Sequence, residues 1–198
     1  MKGEVMSILE LVKKARSYRR FDESAPVPSD VVHKLVDAAR LSPSARNAQP
    51  LKYLVSTNNE MNARIFTTLS WAGSLKEWDG PKPGERPTAY IIVLLDSAVS
   101  ANAGVDPGIV GQTIQLGATE AGFGACMLGA VNRAKLAEII ELRDGFSIEM
   151  VIALGKPAEK IVLEDPRFDG SVVYYRDDAD AHHVPKRRID EVLIQTWQ

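Results

Sequence analysis

Arg16, Ser17 and Arg19 put two guanidinium groups and a hydroxyl into four consecutive residues, just where a helical pattern gives out. Such a set can offer several charge-assisted donors to a phosphate group, and the planar fork of Arg suits phosphate oxygens better than Lys does. A solvated basic turn would use the same residues. A second group is Ser42-Pro43-Ser44-Ala45-Arg46-Asn47-Ala48-Gln49-Pro50, in which small polar groups and two amides are held between prolines. Proline fixes the backbone, while Ser, Asn and Gln supply the donors and acceptors that reading the edge of a heteroaromatic ring requires. Ordinary Asx-turn chemistry at a helix end is the plainer alternative. The third group is Ala121-Gly122-Phe123-Gly124-Ala125-Cys126-Met127-Leu128-Gly129-Ala130, whose small residues let a backbone approach a flat ligand.

The same residues exclude other chemistries. The glycines at 122 and 124 follow a helical pattern instead of joining a strand to a helix, so they do not make a dinucleotide fingerprint. No Gly-x-x-x-x-Gly-Lys-Ser/Thr run occurs, which removes a P-loop NTPase. Cys126 is the only cysteine, so neither an intrachain disulfide nor a cysteine-based metal site is expected, and it reads as a small buried hydrophobe. His182 and His183 are adjacent, a spacing that rarely converges on one metal, and they read as surface or packing residues. No metal site and no obligatory acid, base or nucleophile is nominated.

These groups must be carried by mixed helices and strands. Ser7-Ile8-Leu9-Glu10 has the form of a capping box, and Ile8, Leu11, Val12 and Ala15 share one face, so residues 7–16 are predicted helical. Val32, Leu35, Val36 and Ala39 mark a second helix, broken before Pro43. Residues 51–57, 89–96 and 149–155 are short apolar runs that read as buried strands. Residues 108–121 and 132–142 have helical periodicity, the latter with Asn132 as N-cap. Residues 71–87, punctuated by Gly and Pro, read as an excursion loop in which Trp71 and Trp78 serve as anchors more than as a cover for a ligand. The polar tail from Asp169 is expected to wrap over a surface. This pattern fits α+β better than a regular βαβ succession.

Hydrophobic residues make up 45% of the 198, enough for a substantial core, and one domain spanning 1–198 is expected. A formal charge of −2 gives no global field toward nucleic acid or a membrane surface, so any anion site is local. No apolar run approaches the roughly 20 residues that span a bilayer. The opening residues, Met1-Lys2-Gly3-Glu4-Val5-Met6, have helical periodicity instead of an apolar signal core, and a cytoplasmic protein is expected.

In order and spacing the three groups, with the basic tail, resemble the nitroreductase family of FMN-dependent oxidoreductases from about Ser7 to the end. The resemblance implies a mostly antiparallel central sheet flanked by helices, with FMN at a homodimer interface. It implies that Arg16, Ser17 and Arg19 hold the phosphate and ribityl chain, and that Lys186 and Arg187 join the phosphate site, with Arg188 the substitute one register on. Pro43, Ser44, Asn47 and Gln49 would come to the flavin from the other subunit, and Met127, Leu128 and Gly129 would lie in a loop against the isoalloxazine. NADH or NADPH would reduce the flavin and leave before a small organic acceptor, a nitroaromatic, quinone or related compound, binds at the same face. Arg19 is the candidate donor to the reduced ring. Two departures stand out: Ala15 occupies a position where family members often carry a further Arg, and the long insertion that many build between residues 96 and 108 is missing. The missing insertion motivates the alternative of a flavin-binding storage or sensing module without efficient turnover.

Overall fold

The computed structural model describes residues 6–198; residues 1–5, part of the segment whose periodicity argued against a signal core, lie outside the described residues. The chain forms two compact units, one running to Trp71 and again over Asp79–Ala158, the other made of Ala72–Trp78 and Glu159–Gln198.

The first unit carries α1 (Ile8–Lys14), β1 (Phe21–Asp22), α2 (Ser29–Arg40), β2 (Leu51–Ser56), α3 (Asn59–Phe66), β3 (Ala89–Asp96), α4 (Asp106–Glu120), β4 (Gly124–Leu128), α5 (Arg133–Ile139) and β5 (Phe146–Pro157). β5 is the spine of its sheet. β3 pairs along one side of it, β4 and then β1 along the other, and β2 closes the far edge on β3. All of these pairings are antiparallel. β3 is buried over seven consecutive residues because helices cover both faces. Ala89, Ile91 and Val93 pack with Val32 and Leu35 of α2 and Ile114 and Ala118 of α4 in the main core. Full burial of each such Val, Leu or Ile contributes roughly 1.5–3 kcal/mol. Tyr90, one residue out of phase with that face, lines a 150 Å³ cavity with Asn62, Ala63 and Phe66 of α3.

Helix ends follow local chemistry. The Ser7–Glu10 capping box forms as the sequence predicts, with Glu10 Oε2 accepting from Ser7 N–H at 2.8 Å and Ser7 Oγ accepting from Glu10 N–H at 3.3 Å. Asn132 Oδ1 caps α5 by accepting from Lys135 N–H at 3.1 Å. The expected apolar face of α1, however, buries only Ala15 beyond its end, while Ile8 and Val12 stay exposed. α3 has no counterpart in the sequence reading. Its inward face carries Asn62, a polar residue that breaks the apolar period yet is buried because its Nδ2 donates to the Thr88 carbonyl at 2.8 Å.

Trp71 is nearly buried, its ring 6.0 Å from that of Phe66, and a Cβ on Gly80 would come within 2.8 Å of it. Trp71 thus anchors its end of the 71–87 loop, as expected.

The second unit is more than an extended tail. It contains β6 (Ile161–Glu164), β7 (Tyr175–Arg176), β8 (His182–Pro185) and a short α6 (Ile189–Val192). β8 is the middle strand, parallel to β6 and antiparallel to β7. The sheet is polar at the sequence level because rings and charges hold it together. His182 is fully buried, and Arg176 pairs with the almost wholly buried Glu159 at 2.5 Å while lying 5.4 Å from the centre of the Trp78 ring. No helix among the described residues is long and apolar enough to cross a membrane.

Candidate functional site

The first donor group begins where α1 ends. Ala15 leaves the helix and is buried, so a larger side chain has no room at that position as packed. Arg16 folds back over the helix end, its Nε donating to the Ala15 carbonyl at 2.9 Å and Nη2 to the Val12 carbonyl at 2.6 Å. These are carbonyls that a helix terminus exposes. Burial lowers the Arg16 pKa from its ordinary value, although a guanidinium stays charged throughout the physiological range. Two of its five N–H donors are engaged in this way.

The chain then runs beside β4. Ser17 bridges Ala125 in parallel fashion, Tyr18 N–H donates to the Ala125 carbonyl at 3.1 Å, and Arg19 Nη1 donates to the Ser17 carbonyl at 3.2 Å. Tyr18 lies so close that a Cβ on Gly124 would stand 2.7 Å from its ring and 2.9 Å from Pro157. Glycine at 124 therefore serves this close approach. Residues 124–128, expected as part of a loop, form a strand in register with β5, Met127 opposite Ile152 and Leu128 opposite Val151. Small residues at 124 and 125 hid the strand signal. Leu128 is buried and Met127 half-buried. Gly129, exposed just past the strand, differs: a Cβ there would meet nothing within 4 Å, so no packing within the chain requires glycine. Cys126 is buried, which fits its reading as a packing residue.

The second group, residues 42–50, is a tight loop with a short 3-10 turn at Ala45–Asn47. Arg46, Asn47 and Gln49 have φ of 53°, 54° and 53°, the left-handed region that only Asn among them tolerates well. Asp106, absent from the sequence reading, holds this loop. Its Oδ2 accepts from Ser44 Oγ–H at 2.6 Å and its Oδ1 from Ala45 N–H at 3.2 Å. The available signal was Asp106-Pro107, an acid and a proline in the first turn of a helix. Pro43, Ser44 and Gln49 line a 410 Å³ cavity with residues of α2 and β2. That lining does not include residues 16–19. Tyr53 lines it too, its pKa raised by burial and then by the Asp106 charge.

Lys186 and Arg187 belong to the second unit. Lys186 N–H donates to the Glu164 carbonyl at 2.8 Å, and Arg187 Nη1 is 3.8 Å from Glu191 Oε1. Both side chains are exposed. Among the described residues no group of three or more His, Cys, Asp or Glu could hold a metal ion.

An α+β unit built on an antiparallel sheet, with a cationic segment along β4, defines a fold seen in many solved structures. One from Desulfovibrio desulfuricans, "a putative nitroreductase in complex with FMN", superposes with a TM-score of 0.70 at 23% identity, covering 98% of this chain and 99% of that one. The family model for the nitroreductase family matches residues 12–156, and the chain belongs to that family. A Methanothermobacter thermautotrophicus protein named "Putative NADH dehydrogenase/NAD(P)H nitroreductase" is 33% identical over 164 residues, 78% of this chain and 79% of that one. An iodotyrosine deiodinase from Thermotoga neapolitana is 20% identical over 165 residues, 76% of this chain and 88% of that one.

Proposed function

We propose that the protein is an FMN-dependent oxidoreductase that uses NADH or NADPH to reduce an organic acceptor of the nitroaromatic or quinone class in a ping-pong cycle. It would act as a cytoplasmic homodimer with FMN at the subunit interface, both compact units belonging to one nitroreductase-like domain. The observation that carries the reading is the run of Arg16, Ser17 and Arg19 along β4, the strand that ends at the open space beside Gly129.

That donor set fits FMN. Arg16, Ser17 and Arg19 would hold the phosphate, Lys186 and Arg187 would add positive charge, and Gly129 leaves room for a flat ring. Pro43, Ser44, Asn47 and Gln49 would reach the cofactor from the second subunit, and Asn47 and Gln49 are exposed in the single chain. Exposed apolar side chains on the same unit, Ile8 and Leu9 of α1, Leu41 after α2, and Leu54 and Val55 of β2, are surface that a second copy would cover. When bound, FMN supplies the hydride and electron transfer that side chains cannot. The protein's part is to fix the ring by its phosphate and edge groups and to place fixed positive charge near it, with Arg19 as the candidate for stabilising added negative charge. The FMN complex of the Desulfovibrio protein and the nitroreductase name of the Methanothermobacter relative support this assignment.

Purified protein is expected to show a flavin spectrum at about one equivalent per chain, to bleach under anaerobic NADH or NADPH, and to consume nicotinamide steadily once a quinone or nitroaromatic is added. Failure to take up added FMN, or a bound flavin that neither nicotinamide bleaches, would overturn the reading. Bleaching without sustained turnover would favour a storage or sensing module.

A further inference from the structure

We propose that Asp106 is the positioning residue of the loop that presents Asn47 and Gln49: its buried carboxylate holds residues 44–49 in a backbone conformation they do not favour alone. This rests on the reading of Asn47 and Gln49 as groups offered to FMN.

Asp106 opens α4 and is only 3% exposed, yet it is not the N-cap of that helix, since Val105 occupies that position with no side-chain cap bond. A buried carboxylate needs donors, because leaving either oxygen unpaired in a low-dielectric site is costly. Both of its donors, Ser44 Oγ–H and Ala45 N–H, come from this loop, some sixty residues earlier in the chain. Ser44 Oγ in turn accepts from Gln49 N–H at 2.9 Å, so one continuous chain of hydrogen bonds runs from Gln49 through Ser44 to Asp106. Such chains strengthen their members. A second tie joins the same region to the same helix, with 2.8 Å between the hydroxyls of Ser42 and Thr113.

This anchorage is where the loop needs it. Within the anchored segment the backbone holds three non-glycine residues at positive φ, a conformation that persists when surrounding bonds over-determine it. Gln49 Nε2 also donates to the main-chain carbonyl of Asn47 at 3.2 Å, tying its side chain to the strained turn. The bond to Asp106 alters the role that the resemblance implies for Ser44. The single hydroxyl proton of Ser44 is committed to Asp106, so Ser44 acts as a brace and the exposed Asn47 and Gln49 are the presenting groups.

The test compares Asp106→Ala, Asp106→Asn and Asn47→Ala/Gln49→Ala with the native chain, by amide hydrogen exchange of the apoprotein and by fluorescence titration with FMN. In Asp106→Ala the amides of Ala45 and Gln49 should lose protection while those inside α4 and β3 keep it, and the FMN Kd should rise on the order of tenfold. Asp106→Asn, which keeps an acceptor for Ala45 N–H, should fall between. Added to the Asn47→Ala/Gln49→Ala background, Asp106→Ala should weaken FMN no further. Unchanged protection at Ala45 and Gln49, or an additive loss in the triple variant, would overturn the proposal, as would protection lost throughout α4. Should Asp106→Ala not fold, loop exchange in Asp106→Asn decides the matter. If the native chain takes up no FMN, the reading of Asn47 and Gln49 fails while the exchange data still decide whether Asp106 is the brace.

Discussion

His183 and Glu164 sit diagonally across the parallel strands β6 and β8, with 2.7 Å between Nδ1 and Oε2, while Asp177 Oδ2 lies 3.0 Å from the other ring nitrogen. The imidazole also stacks on Tyr175, centroids 4.8 Å apart, and Arg167 lies over the Tyr175 ring at 5.2 Å. Only the imidazolium can donate to both carboxylates at once. The bonds to Glu164 and then Asp177 raise the His183 pKa above its ordinary 6.5, and the same bonds are the main cause that lowers the two carboxyls. The stability His183 contributes is therefore full below its unfolded pKa and is lost as pH rises through the raised folded value. The contribution of Glu164 and Asp177 is full above their unfolded values and is lost as pH falls through the depressed ones. The second unit should thus be most stable in a mildly acidic window. An NMR titration should place the His183 midpoint above 6.5, and His183→Gln should remove the alkaline loss of stability; a midpoint at or below 6.5 would contradict the clasp.

Ser7, Asn132 and the run 89–96 were legible because caps and buried strands are local signals, and β3 has the very bounds that the sequence predicts. α3 was not, because the hydrogen bond that lets Asn62 be buried is accepted by the Thr88 carbonyl, outside the helix. β6, β7 and β8 were not, because His182, His183 and Arg176 are polar in a list of residues and become core only through rings and ions brought from elsewhere in the unit. The candidate site divides the same way. Its cations stood out, whereas the brace between Ser44 and Asp106 depends on a pairing that no short window contains.

Arg133 repairs an irregularity in the sheet. Between β3 and β5 the register passes from Val93 opposite Met150 to Leu94 opposite Ile148, which leaves Glu149 bulged out of the ladder. Arg133 Nη2 donates to the Glu149 carbonyl and Nε to the Ile148 carbonyl, both at 2.9 Å, and Nη1 reaches the Gly129 carbonyl at 3.3 Å. Arg133→Met keeps much of the stem and removes all three donors. It should cost about 1–2 kcal/mol, or roughly 2–8 °C in Tm for a chain of this size. Arg133→Lys should recover only part of this, since one ammonium cannot span the fork. Thermal melts of the three proteins check this, and a Met variant as stable as the native chain would refute it.

Gly124→Ala tests whether the approach of Tyr18 to β4 matters to the site. The new methyl would stand 2.7 Å from the Tyr18 ring and 2.9 Å from Pro157, so the segment carrying Arg16, Ser17 and Arg19 must shift. Overpacking of this kind costs about 1–3 kcal/mol. The expected result is a lower denaturation midpoint together with weaker FMN binding. Gly129→Ala, with nothing within 4 Å in the chain, should leave stability nearly unchanged while still weakening FMN. Equal effects of the two substitutions on stability would show that the distinction drawn between these glycines is wrong.

Arg16 does two things that a single substitution would confuse. Its Nε and Nη2 close the end of α1 on the carbonyls of Ala15 and Val12, and its charge is one of those proposed to hold the phosphate. Arg16→Ala should therefore lower stability by about 1 kcal/mol through the lost cap and also weaken FMN, because a hydrogen bond to a charged group contributes about 1.5–3 kcal/mol, roughly 10- to 100-fold in affinity. Arg19, which donates to the Ser17 carbonyl and lies beyond the helix end, offers the cleaner comparison. Arg19→Ala should weaken FMN to a similar degree while the bonds that close the end of α1 stay in place. Arg16→Lys should restore part of the affinity and little of the cap, since an ammonium keeps the charge and loses the fork. Urea unfolding of the apoproteins, set beside FMN titrations of the same samples, separates the two roles. An Arg16→Ala chain that is destabilised yet binds FMN as tightly as the native protein would show that Arg16 is a helix cap and that the phosphate is held elsewhere.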